Sequence, residues 1–473
     1  MKNLHLLCTL LFGGAVLLFF GLAYPHHLHY QEQYQLFLFE CTYAWEIVRL
    51  PGGVADLLGR FCTQFFLFAW VGAAIIAVLL SAVQLLTLRL ASFLSRGVQS
   101  VSLQWGWLYG LSFVPSFLLW LFLLDENALL GGVWAVLLTQ LAILGLVRLP
   151  NGWVRRILFV VTILILYWMA LGGDHYHRYP TMFPTLLYAA WLSAIIIPFL
   201  VHFFKVHGSR FKVQGSSGRR QHIIHYSLFT VTFIIMMMIV WKSANFKAET
   251  VMQYDFMARF QQWNRILETV NAEKPNNQIG VTVQNLALAM HGQLANHLFD
   301  YNQNGLAGLL PDVQSDATSP LPTAEAFYQL GMINVAQRTV FEAQEAILDF
   351  QKSGRCYKRL AQTNLINGSY EVARKYLTAL QKTLFYRDWA NETLPLLGNE
   401  EAIAKHPEYG RLRQCAYKED AYFSDHVTPE MLENLFYGNK ENSLAFEYLK
   451  AYYMLTGDRE GYTKLLLQTS AKQ

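Results

Sequence analysis

Apolar residues form long runs in the first half of the chain and short, helically spaced groups in the second. A helix needs about 20 mainly apolar residues to cross a bilayer. Seven runs approach that length: 4–24, 63–88, 103–124, 128–147, 157–172, 185–204 and 223–241. The pattern predicts an all-α protein, with a seven-span transmembrane bundle over 1–242 and a soluble helical domain over 243–473. The first run is expected to stay in the protein. It is longer than a signal-peptide core, and Leu22, Tyr24 and His26 occupy the place of a small-x-small cleavage site.

Residues 25–61, PHHLHYQEQYQLFLFECTYAWEIVRLPGGVADLLGRF, break the apolar pattern. The stretch is too polar for lipid and unusually aromatic for a linker. Tyr34, Phe37, Leu38, Cys41, Trp45 and Val48 recur at helical spacing, which predicts an amphipathic helix in the membrane interface, where Trp and Tyr are favoured. Pro51-Gly52-Gly53 ends it.

Composition agrees with the membrane reading: of 473 residues, 53% are hydrophobic and only 15% charged. Charge then orients the bundle. With the N-terminus in the cytoplasm, the inner loops hold eleven Lys/Arg and the outer loops only Arg49, Arg60 and Arg178. An odd number of spans puts the C-terminal half outside. The expected location is a bacterial inner membrane, with a periplasmic C-terminal domain. The first half carries 15 Lys/Arg against 7 Asp/Glu and the second 22 against 26, with no basic helix interleaved with aromatics, so nucleic acid is not an expected partner. Membrane lipid is. No ionisable residue lies near the middle of a span, which argues against an ion-coupled transporter.

This orientation gathers all seven carboxylates of the first half on the outer side. Candidate acid/base residues are the pair Asp125 and Glu126, and Asp174 with His175; Arg178 and His177 could bind a substrate phosphate. His26, His29 and Glu32 are three residues apart, so a helix aligns them as a weak metal-site candidate. Solvated loop charges and helix capping explain the same residues. No cofactor is implied. The five cysteines show no metal spacing, and a Cys356–Cys415 or Cys41–Cys62 disulfide is as open as free thiols.

In the second half LAQTNLINGSYEVARKYLTAL, from Leu360, aligns with LKAYYMLTGDREGYTKLLLQT, from Leu449. Leu360/Leu449, Gly368/Gly457 and Leu377/Leu466 coincide. Each copy reads as helix, tight glycine turn, helix. This resembles the tetratricopeptide pattern, which Gly368, Tyr370 and Ala373 follow and from which Tyr462 departs. Such arrays commonly bind extended peptide or protein segments.

Two wider resemblances follow. YPHHLHYQEQYQLF, RLPGGVADLLGRFCTQFF and NLINGSYEVARKYL resemble an uncharacterised family of multispanning bacterial membrane proteins with an outer tetratricopeptide-like tail. The arrangement is also similar to GT-C glycosyltransferases, which use a polyprenyl-phosphate sugar donor. That likeness implies a base at Glu32, a second acidic loop at Asp125 or Glu126, and donor-phosphate contacts from Arg60 and Arg178. The expected function is thus a membrane protein presenting a peptide-binding helical domain in envelope assembly; the alternative is a transferase at the outer face.

Overall fold

A computed structural model describes residues 2–94, 109–149, 152–154, 157–162, 164–165, 184–207, 218–312, 320–347, 351–417 and 429–470. These residues are helical wherever regular, and they divide into two compact units, Met1–Phe246 and Lys247–Gln473.

The first unit contains α1 (Lys2–Leu18), α2 (Pro25–Glu32), α3 (Cys41–Val48), α4 (Gly53–Thr63), α5 (Ala69–Leu94), α6 (Val114–Phe122), α7 (Gly131–Arg148), α8 (Pro184–His207) and α9 (Gly218–Ser243). Among the described residues, three stretches are long and apolar enough to cross a membrane: Leu6–Ala23, Ala69–Leu94 and Gly131–Arg148. A fourth is added if Phe229–Ser243 and the helix after it form one bent span. Tyr109–Phe122 and Thr185–Leu200 are shorter apolar helices. Half of the run 157–172, including its last seven residues, lies outside the described residues.

α5 is the centre of this unit, packing against α1, α6, α7 and α8. Apolar helices gain little from mutual burial when lipid is the alternative, so buried polar pairs and small residues position them. Gln84 accepts from Thr9 on α1 (2.9 Å) and donates to Ser112 (2.9 Å). Gln140 on α7 donates to Thr87 on α5 (2.8 Å). α4 meets α7 backbone to backbone: a Cβ on Gly59 would stand 2.4 Å from the Gly131 nitrogen.

The single interfacial helix expected over 34–48 is two pieces. α2 begins with Pro25 at a position where its missing N–H costs nothing. It stops at Glu32, residues 35–40 run without regular structure, and α3 restarts at Cys41. Tertiary contacts override the helical spacing. Tyr43 donates to the Leu36 carbonyl (2.7 Å), and Phe37 packs edge-on against Phe39, Tyr43 and Phe61. The interfacial expectation suits α3, whose Trp45 is 68% exposed, but not residues 27–36, all of which are buried.

The second unit comprises α10 (Phe246–Arg259), α11 (Trp263–Glu273), α12 (Gln278–Met290), α13 (Leu294–His297), α14 (Pro320–Leu330), α15 (Ile333–Ala346), α16 (Gly354–Ile366), α17 (Tyr370–Leu380), α18 (Arg387–Thr393), α19 (Glu400–Lys405), α20 (Pro407–Cys415), α21 (Pro429–Gly438), α22 (Ser443–Thr456) and α23 (Arg459–Ser470). Among the described residues one turn recurs five times. A residue with positive φ ends the first helix, and the next N–H reaches back five residues to a carbonyl, closing the helix as in a Schellman motif. The positive-φ residues are Gln261, Gly292, Gly331, Gly368 and Gly457. The returning bonds are Gln262 to Met257, Gln293 to Leu288, Met332 to Phe327, Ser369 to Asn364 and Asp458 to Tyr453, at 2.8–3.0 Å. Hairpins α14–α15 and α16–α17 stack through α15 and α16, and Ala336 and Ala373 occupy equivalent, fully buried places in their second helices. The cysteines are free thiols, with Cys356 and Cys415 buried.

Candidate functional site

α2 is docked on the loop between α6 and α7. His27 meets the Leu123 carbonyl at 2.9 Å. A carbonyl only accepts, so His27 Nε2 carries the proton. Gln31 Nε2 donates to the carbonyls of Asp125 (3.2 Å) and Ala128 (3.1 Å). Three sequence-predicted acids, Glu32, Asp125 and Glu126, therefore lie on two elements held together side by side. Glu32 is 5% exposed.

The two loop acids differ. Asp125 Oδ1 accepts from the Asn127 N–H at 2.7 Å, an Asx turn that holds the loop. Glu126 has no hydrogen-bond or ion-pair partner among the described residues and borders a small cavity with Gln31, Tyr34, Gln35, Thr63 and Phe66. Burial raises both carboxyl pKa values, and the neighbouring Asp125 adds to the rise at Glu126. Gln35 is 3% exposed, and neither its Nε2 nor its Oε1 has a hydrogen-bond partner among the described residues. An unmet buried amide costs about 1–3 kcal/mol per group. The cavity has room for about one water-sized group.

The remaining predicted site residues stand elsewhere or outside the description. Arg60 is ion-paired with Asp56 one turn earlier, donating Nε (3.0 Å) and Nη2 (2.8 Å) to the same carboxylate oxygen. Its guanidinium is therefore occupied. His26 and His29 have ring centroids 5.9 Å apart. Among the described residues, no group of three or more His, Cys, Asp and Glu side chains is placed to hold a metal ion. Asp174, His175, His177 and Arg178 lie outside the described residues.

Sequence reasoning passed over the polar core of the second unit. α16 presents Arg355, Lys358 and Arg359 along one face, toward α10, α14 and α20. Arg355 forms a two-pronged pair with Asp255 of α10, and Arg359 binds Glu325 of α14 at 2.6 Å. The Arg359 guanidinium lies 3.7 Å from the Tyr328 ring centroid, and Tyr328 donates to Glu408 of α20 (2.9 Å). Lys358 faces the Trp389 ring at 4.9 Å. Burial, followed by the charges of Arg359 and Arg259, lowers the Lys358 pKa. The signal was available: Arg355, Lys358, Arg359 and Gln362 recur at helical spacing.

No curated protein and no solved structure matches the chain. The family of unknown function DUF6057 matches it over residues 1–174 and 170–473, and the chain belongs to that family.

Proposed function

We propose that this chain is an integral membrane protein that presents a tetratricopeptide-like array outside the cytoplasmic membrane and binds an extended segment of a partner protein in envelope assembly. The carrying observation is the fivefold recurrence of the same hairpin-closing turn. Helical hairpins that repeat in this way stack into a curved surface suited to extended chains. The leading helices α10, α14 and α16 are joined beneath the surface by the buried ion pairs of Asp255 with Arg355 and Glu325 with Arg359, and Lys358 on α16 is partly exposed beside them. Seven spans with an inner N-terminus put this array on the outer side, as the Lys/Arg bias favours.

The test uses the full chain in cells. A reporter fused after Gln473 should be active outside. A photocrosslinker replacing Lys358 on the leading-helix face should give a discrete protein adduct, and one replacing Val372 on α17 should not. A reporter active only in the cytosol, or equal labelling from both positions, overturns the proposal.

A transferase of GT-C type is the second reading, favoured by the hydrogen bonds that hold the Glu32 helix against the Asp125–Glu126 loop. It requires Arg60 to leave Asp56 before meeting a phosphate. Purified protein mixed with polyprenyl-phosphate sugars should then show turnover that Glu32→Gln abolishes.

A further inference from the structure

The cavity beside Glu126 lies at a particular level of the first unit. Its lining comes from residues 31–35, just after the candidate span Leu6–Ala23; from Thr63 and Phe66, just before Ala69–Leu94; and from Glu126 to Leu130, just before Gly131–Arg148. Three candidate spans thus border the cavity, the first by its C-terminal end and the other two by their N-terminal ends. Phe39, Trp45, Phe61 and Phe68, from the segment joining the first two of these spans, and Trp70, at the start of the second, are exposed. Exposed Trp and Phe at span ends mark the headgroup layer of a bilayer.

Two side chains in this cavity lack partners that their chemistry requires. Glu126 has a half-buried carboxyl with no cation or donor among the described residues. Gln35 is almost fully buried, with both amide atoms unmatched among the described residues. Gln31 has its nitrogen committed to the loop carbonyls, so its remaining capacity is as an acceptor. The cavity therefore offers mainly oxygen acceptors, one of them anionic, in a space the size of one small group. A primary ammonium carries three donors, no acceptor and one positive charge. A quaternary ammonium has no N–H and is bulkier.

We infer that this cavity binds a primary ammonium, supplied by the headgroup of an aminophospholipid. Glu126 provides the counter-charge, and the Gln35 and Gln31 oxygens accept the remaining N–H groups.

The experiment follows the unfolding midpoint of the full chain in uncharged detergent, read by tryptophan fluorescence. Dihexanoyl phosphatidylethanolamine should raise the midpoint in a dose-dependent way, and dihexanoyl phosphatidylcholine should not. Glu126→Gln should weaken the apparent affinity about tenfold or more, the scale of one charged hydrogen bond. Gln35→Leu should lose the response while its own midpoint without lipid stays at or above wild type, which separates lost binding from misfolding. Free ethanolamine distinguishes the sources: a smaller shift than the lipid assigns the site to the headgroup, and an equal one assigns it to a soluble amine. The inference is overturned if phosphatidylcholine, Na+ or Mg2+ matches the amine, if the wild type responds to nothing, or if both variants respond as wild type does.

Discussion

The Arg355 guanidinium grips the Asp255 carboxylate with two parallel donors, Nη1 to Oδ2 at 2.6 Å and Nη2 to Oδ1 at 2.8 Å. The side chains are only 6% and 11% exposed. The bond joins α10 to α16, which are 100 residues apart in the chain. Removing one partner strands a charge in the interior, which typically costs about 3–5 kcal/mol. Arg355→Met should destabilise the second unit by that order in chemical denaturation. The double variant Arg355→Met with Asp255→Leu should recover most of the loss. Additive losses would show that the pair is not coupled.

Two glycines of the same turn should respond differently to alanine. Gly368 has φ +78 with open space around its missing Cβ. Gly368→Ala should cost only the left-handed backbone term, about 1–2 kcal/mol. Gly331 has φ +94, and its Cβ would stand 2.8 Å from the Cys415 carbonyl oxygen. Gly331→Ala should therefore cost clearly more. Gln261 occupies the equivalent place with φ +53. Gln261→Gly should stabilise by up to about 1 kcal/mol. Midpoints in urea rank the three.

Glu126 should make stability depend on pH in a definite direction. Burial and Asp125 raise its pKa in the folded chain, so folding favours the protonated acid. No penalty exists below the ordinary carboxyl pKa. It develops as pH rises through that value and is complete above the raised one. Glu126→Gln removes it, so without added amine the variant should gain on wild type as pH rises from the ordinary carboxyl range, about pH 4, through the raised value. A constant difference across that range would contradict the burial argument.

The thiols should divide by burial. Cys41 is exposed, whereas Cys356 is buried with its pKa pushed up to about 11. A rise from 9 to about 11 cuts the thiolate fraction at pH 8 about 100-fold. A maleimide should label Cys41 in the native protein and reach Cys356 only after unfolding. Protection of Cys41 would place it in a contact that the fold does not show.

The hairpin array is partly legible in the order of residues alone. Gly368-Ser369-Tyr370 and Ala373 announce a turn and a small packing position, and the structure repeats both at Gly331-Met332-Ile333 and Ala336. The earlier turn at Gln261 was hidden, because a glutamine seldom adopts positive φ and only its packing holds it there. The Asp125 turn was readable as well, since Asp-Glu-Asn between apolar runs favours an Asx turn.

The amino-acid sequence by itself determined where apolar helices form, that the regular structure is helical, and that a glycine turn repeats in the second half. Partitioning of a long run into an apolar phase and the φ preference of glycine are properties of a segment, whatever it later touches. Only the tertiary structure decided that the polar string HLHYQE (27–32) is buried, that Glu126 rather than Asp125 borders a cavity, and that the Gln35 amide beside it has no partner among the described residues. Burial of a polar group depends on which carbonyls or charges arrive to meet it. Here they come from residues about a hundred positions away, beyond the reach of local spacing.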